Sequence, residues 1–200
     1  MAPLRGEDAR DDRPGPVTRV VAGSVGGRTL RVPAAGTRPT SDRVREALFS
    51  RLEHLRLVDG ARVLDLYAGS GALGIEAASR GAAAVTLVDS ARAAVDVCRL
   101  NAATLGLTGV TVVADRAERF ARRPAAAPWD LVFLDPPYEL ADADLVVVLE
   151  ALVPALAPRG VVVVERSARS PEPAWPAGLV GTDRRAYGDT IVWFAGPGEP

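Results

Sequence analysis

Residues Asp135-Pro136-Pro137-Tyr138 combine a carboxylate, a rigid turn and an aromatic ring in four consecutive positions. They directly follow the apolar run 129–134, which predicts a buried strand. In an open α/β sheet, ligands bind at the carboxyl ends of the strands. A hydrogen-bond acceptor beside a flat stacking surface suits a planar base with an exocyclic amine. The four residues are therefore the candidate catalytic set, and they point to chemistry on a nucleobase nitrogen.

A second candidate site follows an earlier predicted strand. Gly69, Gly71 and Gly74 fit the pattern G-x-G-x-x-G, in which missing side chains allow a tight turn and close approach of the backbone to a ligand. Asp89 lies 20 residues beyond Gly69, where a carboxylate can bind ribose hydroxyls. This pattern alone is compatible with NAD, FAD or S-adenosylmethionine.

Two further acids favour S-adenosylmethionine. The negative charge of Asp65, just before the glycines, would repel a pyrophosphate but suit the cationic amino group of a methionine moiety. Asp115 ends the third strand and is placed to accept from the adenine amine; a helix N-cap is the alternative role for each acid. The predicted cofactor-binding residues are Asp65, Tyr67, Ala68, Gly69, Ser70, Gly71, Gly74, Asp89, Ser90, Asp115 and Arg116.

An alternation of strands and helices must position these residues. Predicted strands cover 61–66, 84–88, 110–114, 129–134 and 160–165, and predicted helices cover 72–80, 91–105, 116–122 and 141–156. Strands over 179–186 and 190–194 would add an antiparallel pair. A hairpin of strands 17–22 and 28–32, and a helix that starts within 38–42 and ends near residue 59, precede this frame. The fold class is therefore α/β, with a mostly parallel seven-stranded sheet, helices on both faces, and an N-terminal hairpin and helix.

Composition narrows the function classes. The chain has 200 residues, one cysteine (Cys98) and a net charge of -1, so a disulfide framework, a Cys-rich zinc site and a globally basic nucleic-acid binder are excluded. The sequence has no apolar run of about 18 residues, so no membrane span is predicted. The N-terminus lacks the apolar core of a signal peptide, so we expect a cytoplasmic protein. Residues 13–56 carry nine arginines against three acids, which fits either a nucleic-acid footprint or a solvated helix face.

Together these motifs resemble one enzyme class. The order Asp65, Gly69, Gly71, Asp89, Asp115 and Asp135-Pro136-Pro137-Tyr138 resembles class I S-adenosylmethionine-dependent methyltransferases of amino groups, which have a Rossmann-like fold. The stretches 19–23, 27–30 and above all 38–49 (RPTSDRVREALF) resemble the RsmD family of bacterial 16S ribosomal RNA guanine-N2 methyltransferases. The resemblance covers residues 17–195.

The resemblance implies the organisation and the partners. Residues 17–59 would form a module that covers the active site and contacts RNA, and residues 60–195 the methyltransferase domain. Residues 1–16 and 196–200 are predicted tails outside the resemblance, and the charged, Gly- and Pro-containing composition of the first predicts that it is disordered. The cofactor would be S-adenosyl-L-methionine, and the partner 16S rRNA or the 30S ribosomal subunit. We expect a monomer without a metal. The RNA-binding residues it implies are Arg19, Arg28, Arg38, Thr40, Arg43 and Arg45.

Two alternatives stay open. One is another amino methyltransferase, acting on adenine N6 or cytosine N4 of DNA or on a protein glutamine. The chain has no room for a separate DNA-recognition domain, and the glutamine enzymes typically have Asn where Asp135 stands. The other is a non-catalytic RNA-binding assembly factor that has kept only the fold.

Overall fold

The structure is a computed structural model that describes residues 17–33, 41–137 and 139–198. The predicted roles of Arg38, Thr40 and Tyr138, and the predicted tail 1–16, lie outside the described residues. The strands are β1 (Val17–Arg19), β2 (Thr29–Arg31), β3 (Arg62–Leu66), β4 (Ala84–Asp89), β5 (Val110–Ala114), β6 (Trp129–Leu134), β7 (Leu156–Ser167), β8 (Leu179–Tyr187) and β9 (Thr190–Pro197). The helices are α1 (Asp42–His54), α2 (Ala72–Ser79), α3 (Arg92–Leu105), α4 (Ala117–Ala121) and α5 (Asp142–Leu152), followed by a short 3-10 helix (Val153–Ala155).

Seven strands form one sheet in the order β5-β4-β3-β6-β7-β9-β8. The strands from β5 to β7 run parallel, and β9 pairs antiparallel with both β7 and β8. This confirms the α/β class, the mostly parallel sheet and the antiparallel terminal pair. β3 lies at the centre, between β4 and β6. The carboxyl ends of β3, β4, β5 and β6 therefore share one edge.

Two apolar clusters cover the two faces of the sheet. On one face, Val63 and Phe133 pack with α1, α2 and the hairpin residues Val20 and Leu30. On the other face, alternate residues of the same strands pack with α4 and α5. The hairpin and α1 thus share their core with the sheet. In the described part of the chain, no helix is long and apolar enough to cross a membrane.

Several element ends differ from the prediction. β1 ends at Arg19 because the amides of Val21 and Ala22 donate to the Glu76 carboxylate and not to a neighbouring strand. α1 ends at His54, and Arg56 then takes a left-handed conformation with φ of 56°, which a helix cannot continue through.

The α5 helix also stops earlier than predicted, at Leu152. Pro154 follows it in the 3-10 helix, and proline cannot donate the backbone hydrogen bond that an α-helix requires. β7 consequently starts at Leu156 and not at Gly160, and its pairing with β6 has a register shift between Trp129 and Leu131.

Candidate active site

The loop after β3 has an unusual backbone, with three positive φ angles close together. Tyr67, Gly69 and Gly71 all have positive φ, of 63°, 56° and 78°. A Cβ on Gly71 would lie 2.9 Å from Leu87 Cδ1, and one on Gly74 would lie 2.3 Å from Leu87 Cδ2. The glycines are thus required both by the turn and by the packing of α2 against β4.

Hydrogen bonds fix this loop from several sides. The Gly69 amide donates to Asp89 Oδ2 at 2.9 Å, and the Gly71 amide donates to the Ala68 carbonyl at 2.6 Å. From α3, Cys98 Sγ lies 3.4 Å from the Gly69 carbonyl and Asn101 Nδ2 donates to the Ser70 carbonyl at 2.9 Å. These hydrogen bonds connect the loop to β4 and α3, so its shape depends on both elements.

Asp65 lies behind the glycine loop, 1% exposed, and accepts from the Gly74 amide at 2.9 Å. Burial raises the pKa of Asp65 to about 7; the Gly74 hydrogen bond opposes this change and the charge of Asp89 adds to it. A cation beside the loop would favour the charged form of this carboxylate. The observed contact of Asp65 with the loop is the Gly74 hydrogen bond, and its role toward a cationic amino group stays a prediction.

Asp89 stands at the carboxyl end of β4 and is half-buried. Its Oδ2 receives the Gly69 amide and its Oδ1 receives the Ala91 amide at 2.8 Å. It joins the glycine loop to the start of α3. Each carboxylate oxygen has a further lone pair, so ribose binding by Asp89 is compatible with these bonds and stays a prediction.

Asp115 is held by arginines that the sequence analysis missed. Its carboxylate accepts from the Arg116 amide at 2.9 Å and from Arg119 Nε and Arg123 Nη2. Burial alone would raise the pKa of Asp115, but the Arg119 hydrogen bond and the other donors outweigh burial, so the pKa is below its ordinary value. An adenine amine would therefore have to share or displace arginine donors. Arg119 and Arg123 follow Asp115 by four and eight residues, and this spacing was the available signal for their pairing with Asp115.

A cavity of about 220 Å³ opens between the ends of β4 and β5 and the helix α5. Valine and leucine side chains line it together with acids and an arginine. Burial, with the nearby charges of Glu118 and Asp144, raises the pKa of Tyr67 to about 12. The lining residues are Tyr67, Val88, Asp89, Ser90, Asp115, Arg116, Ala117, Glu118, Leu140, Asp144, Val147 and Val148. A cavity with both apolar and polar lining residues suits a nucleoside. Glu118, Leu140 and Asp144 were not among the predicted residues.

Asp135, Pro136 and Pro137 follow β6 at the same edge. Asp135 is half-buried, Pro136 buried and Pro137 exposed, and the Pro137 carbonyl accepts from the Leu140 amide at 3.0 Å. Tyr138, the next residue in the sequence, lies outside the described residues. β7 runs beside β6 with Leu134 opposite Val164.

The residues that follow on β7 therefore border the same turn. Glu165 and Arg166 line a crevice of about 10 Å³ together with Asp135 and Pro136. Buried Arg166 donates to Asp142 Oδ1 at 2.7 Å and to the Leu140 carbonyl. Sequence reasoning gave neither β7 residue a role.

The arginines of the N-terminal module divide into two groups. Arg19, Arg28 and Arg43 are exposed; Arg19 Nε pairs with Asp42 at 3.0 Å, and Arg28 Nη2 donates to the Thr104 carbonyl at 3.2 Å. These three can face an RNA. Gly23, in the turn of the hairpin, lies against Ser79 at the end of α2.

Arg45 does not fit the predicted contact with RNA, because it is 0% exposed. Its Nη2 donates to Thr18 Oγ1 at 3.1 Å, to the Arg19 carbonyl at 2.5 Å and to Asp42 Oδ1 at 2.8 Å. Burial lowers the pKa of Arg45, and the charges of Asp42, Glu76 and Glu165 oppose that change. A buried guanidinium cannot reach a phosphate, so the prediction is wrong for Arg45. It joins α1 to the hairpin.

Among the described residues, no group of three or more His, Cys, Asp or Glu side chains could hold a metal ion. The polar groups at the sheet edge instead suit an organic molecule with an adenosine part and a cationic amino acid part. Asp89 and Asp115 offer acceptors at the cavity, and the collisions that a Cβ would cause at Gly71 and Gly74 show how tightly the loop is packed. The residues present therefore fit S-adenosylmethionine.

Comparisons with known proteins support this interpretation. The family described as conserved hypothetical protein 95 matches residues 18–196. Ribosomal RNA small subunit methyltransferase D of Escherichia coli K12 is 46% identical over 121 residues, which span 60% of this chain and 60% of that protein. The Haemophilus influenzae protein of the same name is 34% identical over 157 residues, covering 76% of this chain and 80% of that protein.

Solved structures agree with the fold. The Escherichia coli protein yhhF, a methyltransferase by its description, has a TM-score of 0.79 and 35% identity, covering 91% of this chain and 98% of that one. A hypothetical protein from a Thermus species has a TM-score of 0.76 and 33% identity, covering 89% and 98%. Because the family match extends over most of the chain, the protein belongs to the conserved hypothetical protein 95 family, the RsmD family of methyltransferases.

Proposed function

We propose that this chain transfers a methyl group from S-adenosyl-L-methionine to the exocyclic N2 of a guanine in 16S rRNA of the small ribosomal subunit. The observation that carries the proposal is the shared edge of β3, β4, β5 and β6. The glycine loop and the 220 Å³ cavity lie at this edge, where Asp135 follows β6. The names of the two ribosomal RNA methyltransferases support the same substrate class.

The donor supplies an electrophilic methyl group on its sulfonium, and the protein has to prepare the acceptor nitrogen. The exocyclic nitrogen of guanine is a poor nucleophile because its lone pair is conjugated with the ring. The Asp135 carboxylate and the Pro136 carbonyl would accept its two N–H hydrogens, orient it and raise its electron density. Asp135 is half-buried at the strand end, which strengthens such a hydrogen bond.

The remaining roles follow from position. Tyr138 would stack on the guanine and hold it out of the RNA stack. The proton lost after transfer would go to Asp135 or to water. Exposed Arg19, Arg28 and Arg43 would contact phosphates. We propose the 30S subunit as partner, a monomeric enzyme and a cytoplasmic location.

Methylation assays with labelled S-adenosylmethionine test the function. The substrates are naked 16S rRNA, 30S subunits from a strain lacking the gene, and duplex DNA, with mass spectrometry of the digested nucleosides. We expect N2-methylguanosine from 16S rRNA or 30S subunits. Methylation of duplex DNA alone, or of another nucleobase atom, would refute the proposal.

Asp135→Ala tests the role of the carboxylate. Loss of a charged hydrogen bond made in the transition state predicts a fall in kcat of about 100-fold. Asp130→Asn is the matched control, because Asp130 lies at the opposite end of the same strand and binds the Arg62 amide at 2.8 Å. The control should keep wild-type kcat. An Asp135→Ala enzyme as fast as this control would exclude the acceptor role.

A further inference from the structure

The buried side chain of Asn101 joins two parts of the protein to which we give different partners. Its Oδ1 accepts from the Arg31 amide of β2 at 2.9 Å, and its Nδ2 donates to the Arg31 carbonyl at 2.9 Å. The same Nδ2 donates to the Ser70 carbonyl of the glycine loop at 2.9 Å. One carboxamide on α3 thus holds the hairpin and the glycine loop together, 3% exposed to solvent.

The hairpin is held elsewhere by contacts that do not reach the loop. Ser79 Oγ on α2 accepts from the Val25 amide at 3.1 Å and donates to the Ala22 carbonyl at 2.6 Å. The backbone is so close here that a Cβ on Gly23 would lie 2.0 Å from the Ser79 carbonyl oxygen. Ser79 therefore provides a matched anchor that secures the hairpin at a distance from the loop.

We propose that Asn101 is a positioning residue that couples RNA binding at the hairpin to donor binding at the glycine loop. A partner that holds Arg31 in place also fixes the Asn101 carboxamide, and that carboxamide holds the Ser70 carbonyl. The second molecule then finds a loop that is already ordered, so each partner tightens the binding of the other by the same factor. This inference rests on the proposed function, because it assigns RNA to the hairpin and S-adenosylmethionine to the loop.

Equilibrium binding of S-adenosylhomocysteine, the reaction product, measures the coupling without turnover. We expect saturating unmethylated 16S rRNA to lower its Kd for the wild type about fivefold or more. In Asn101→Ala this gain should fall below about twofold, and the Kd without RNA should rise. Ser79→Ala should raise the RNA concentration needed but keep the full gain at saturation. An equal gain in wild type and Asn101→Ala would overturn the proposal.

Amide hydrogen exchange of the wild-type protein provides a test that does not depend on a variant's folding. Adding S-adenosylhomocysteine should slow exchange of the Arg31 amide about fivefold, because Asn101 links it to the loop, and leave the Val25 amide unchanged. Equal effects on both amides, or none on Arg31, would overturn the coupling. If the wild type fails to bind S-adenosylhomocysteine at all, the proposed function fails; if it binds and Arg31 does not respond, only the coupling fails.

Discussion

Asp65→Asn changes how the stability of the protein depends on pH. Burial raises the pKa of Asp65 to about 7 from an ordinary value of 3.8, with the Gly74 hydrogen bond opposing and Asp89 adding to the change. Between these two values, the folded protein retains a proton that the unfolded chain has released. The free energy of unfolding therefore falls as pH rises through this range, and the loss is complete above the folded-state pKa. A difference of about 3 pKa units corresponds to about 4 kcal/mol, at about 1.36 kcal/mol each.

The variant should lose this pH-dependent component. Asparagine has nearly the same shape and its Oδ1 can still accept from the Gly74 amide, but it does not titrate. We expect the free energy of unfolding of Asp65→Asn, minus that of the wild type, to rise by about 4 kcal/mol from about pH 4 to about pH 8. The fixed cost of the substitution cancels, because only the change in this difference is used.

Urea denaturation of both proteins across that range gives the difference directly. If the two stability curves run parallel, burial does not disfavour the charged carboxylate, and the reasoning is refuted. The same reasoning predicts that wild-type affinity for S-adenosylmethionine increases as pH rises towards 7, since the charged carboxylate favours a cation. Calorimetry should show this trend in the wild type and not in Asp65→Asn.

Three further substitutions test the packing around the site. Arg45→Met should lower the free energy of unfolding by about 2–4 kcal/mol because it removes buried charged hydrogen bonds, whereas exposed Arg43→Met should change it by less than about 0.5 kcal/mol; similar losses in urea melts would contradict this. Gly23→Ala should lower the free energy of unfolding by about 2–4 kcal/mol, because φ is positive there and the new Cβ would collide with Ser79. Gly27→Ala, with positive φ but nothing within 4 Å, should lower it by only about 1–2 kcal/mol. Thermal unfolding of both variants measures the difference. Arg166→Met should lower kcat about tenfold, because the turn after β6 loses a charge-assisted anchor, with the Kd for S-adenosylhomocysteine unchanged; an altered Kd and a normal kcat would contradict that role.

The order of elements could be predicted because apolar runs of strand length alternate with helical spacing. Strand ends were predictable for the same reason, so Asp89, Asp115 and Asp135 were correctly placed at one edge. The spacing of Arg119 and Arg123 from Asp115 was a signal for their pairing, but it does not single them out, since many arginines compete for each acid. Predicted element ends were wrong where a distant side chain took the place of a backbone hydrogen-bond partner, as Glu76 does at the end of β1.

The burial of Arg45 could have been predicted from its position on α1, although not from its charge. Arg45 precedes Leu48, Phe49 and Leu52 by three, four and seven residues, the spacing of one helix face. That face is buried, so the arginine must be buried with it. Asn101 has the same relation to buried Cys98 and Leu105 on α3. A polar residue on an apolar stripe therefore indicates a structural role before a binding role.

The hairpin leaves the ribosome well before the residues that anchor it are made. The Val21 amide binds a carboxylate 55 residues further on, and the Arg31 amide binds Asn101, 70 residues further on. At about 5–20 residues per second, translation takes roughly 4–14 seconds to supply the second anchor. Until α3 has been made, Val20 and Leu30, both fully buried in the folded protein, lack part of the core that they share with α2 and α3. A translational pause between residues 31 and 101 would prolong this exposure, so the nascent chain is most prone to aggregate in that interval.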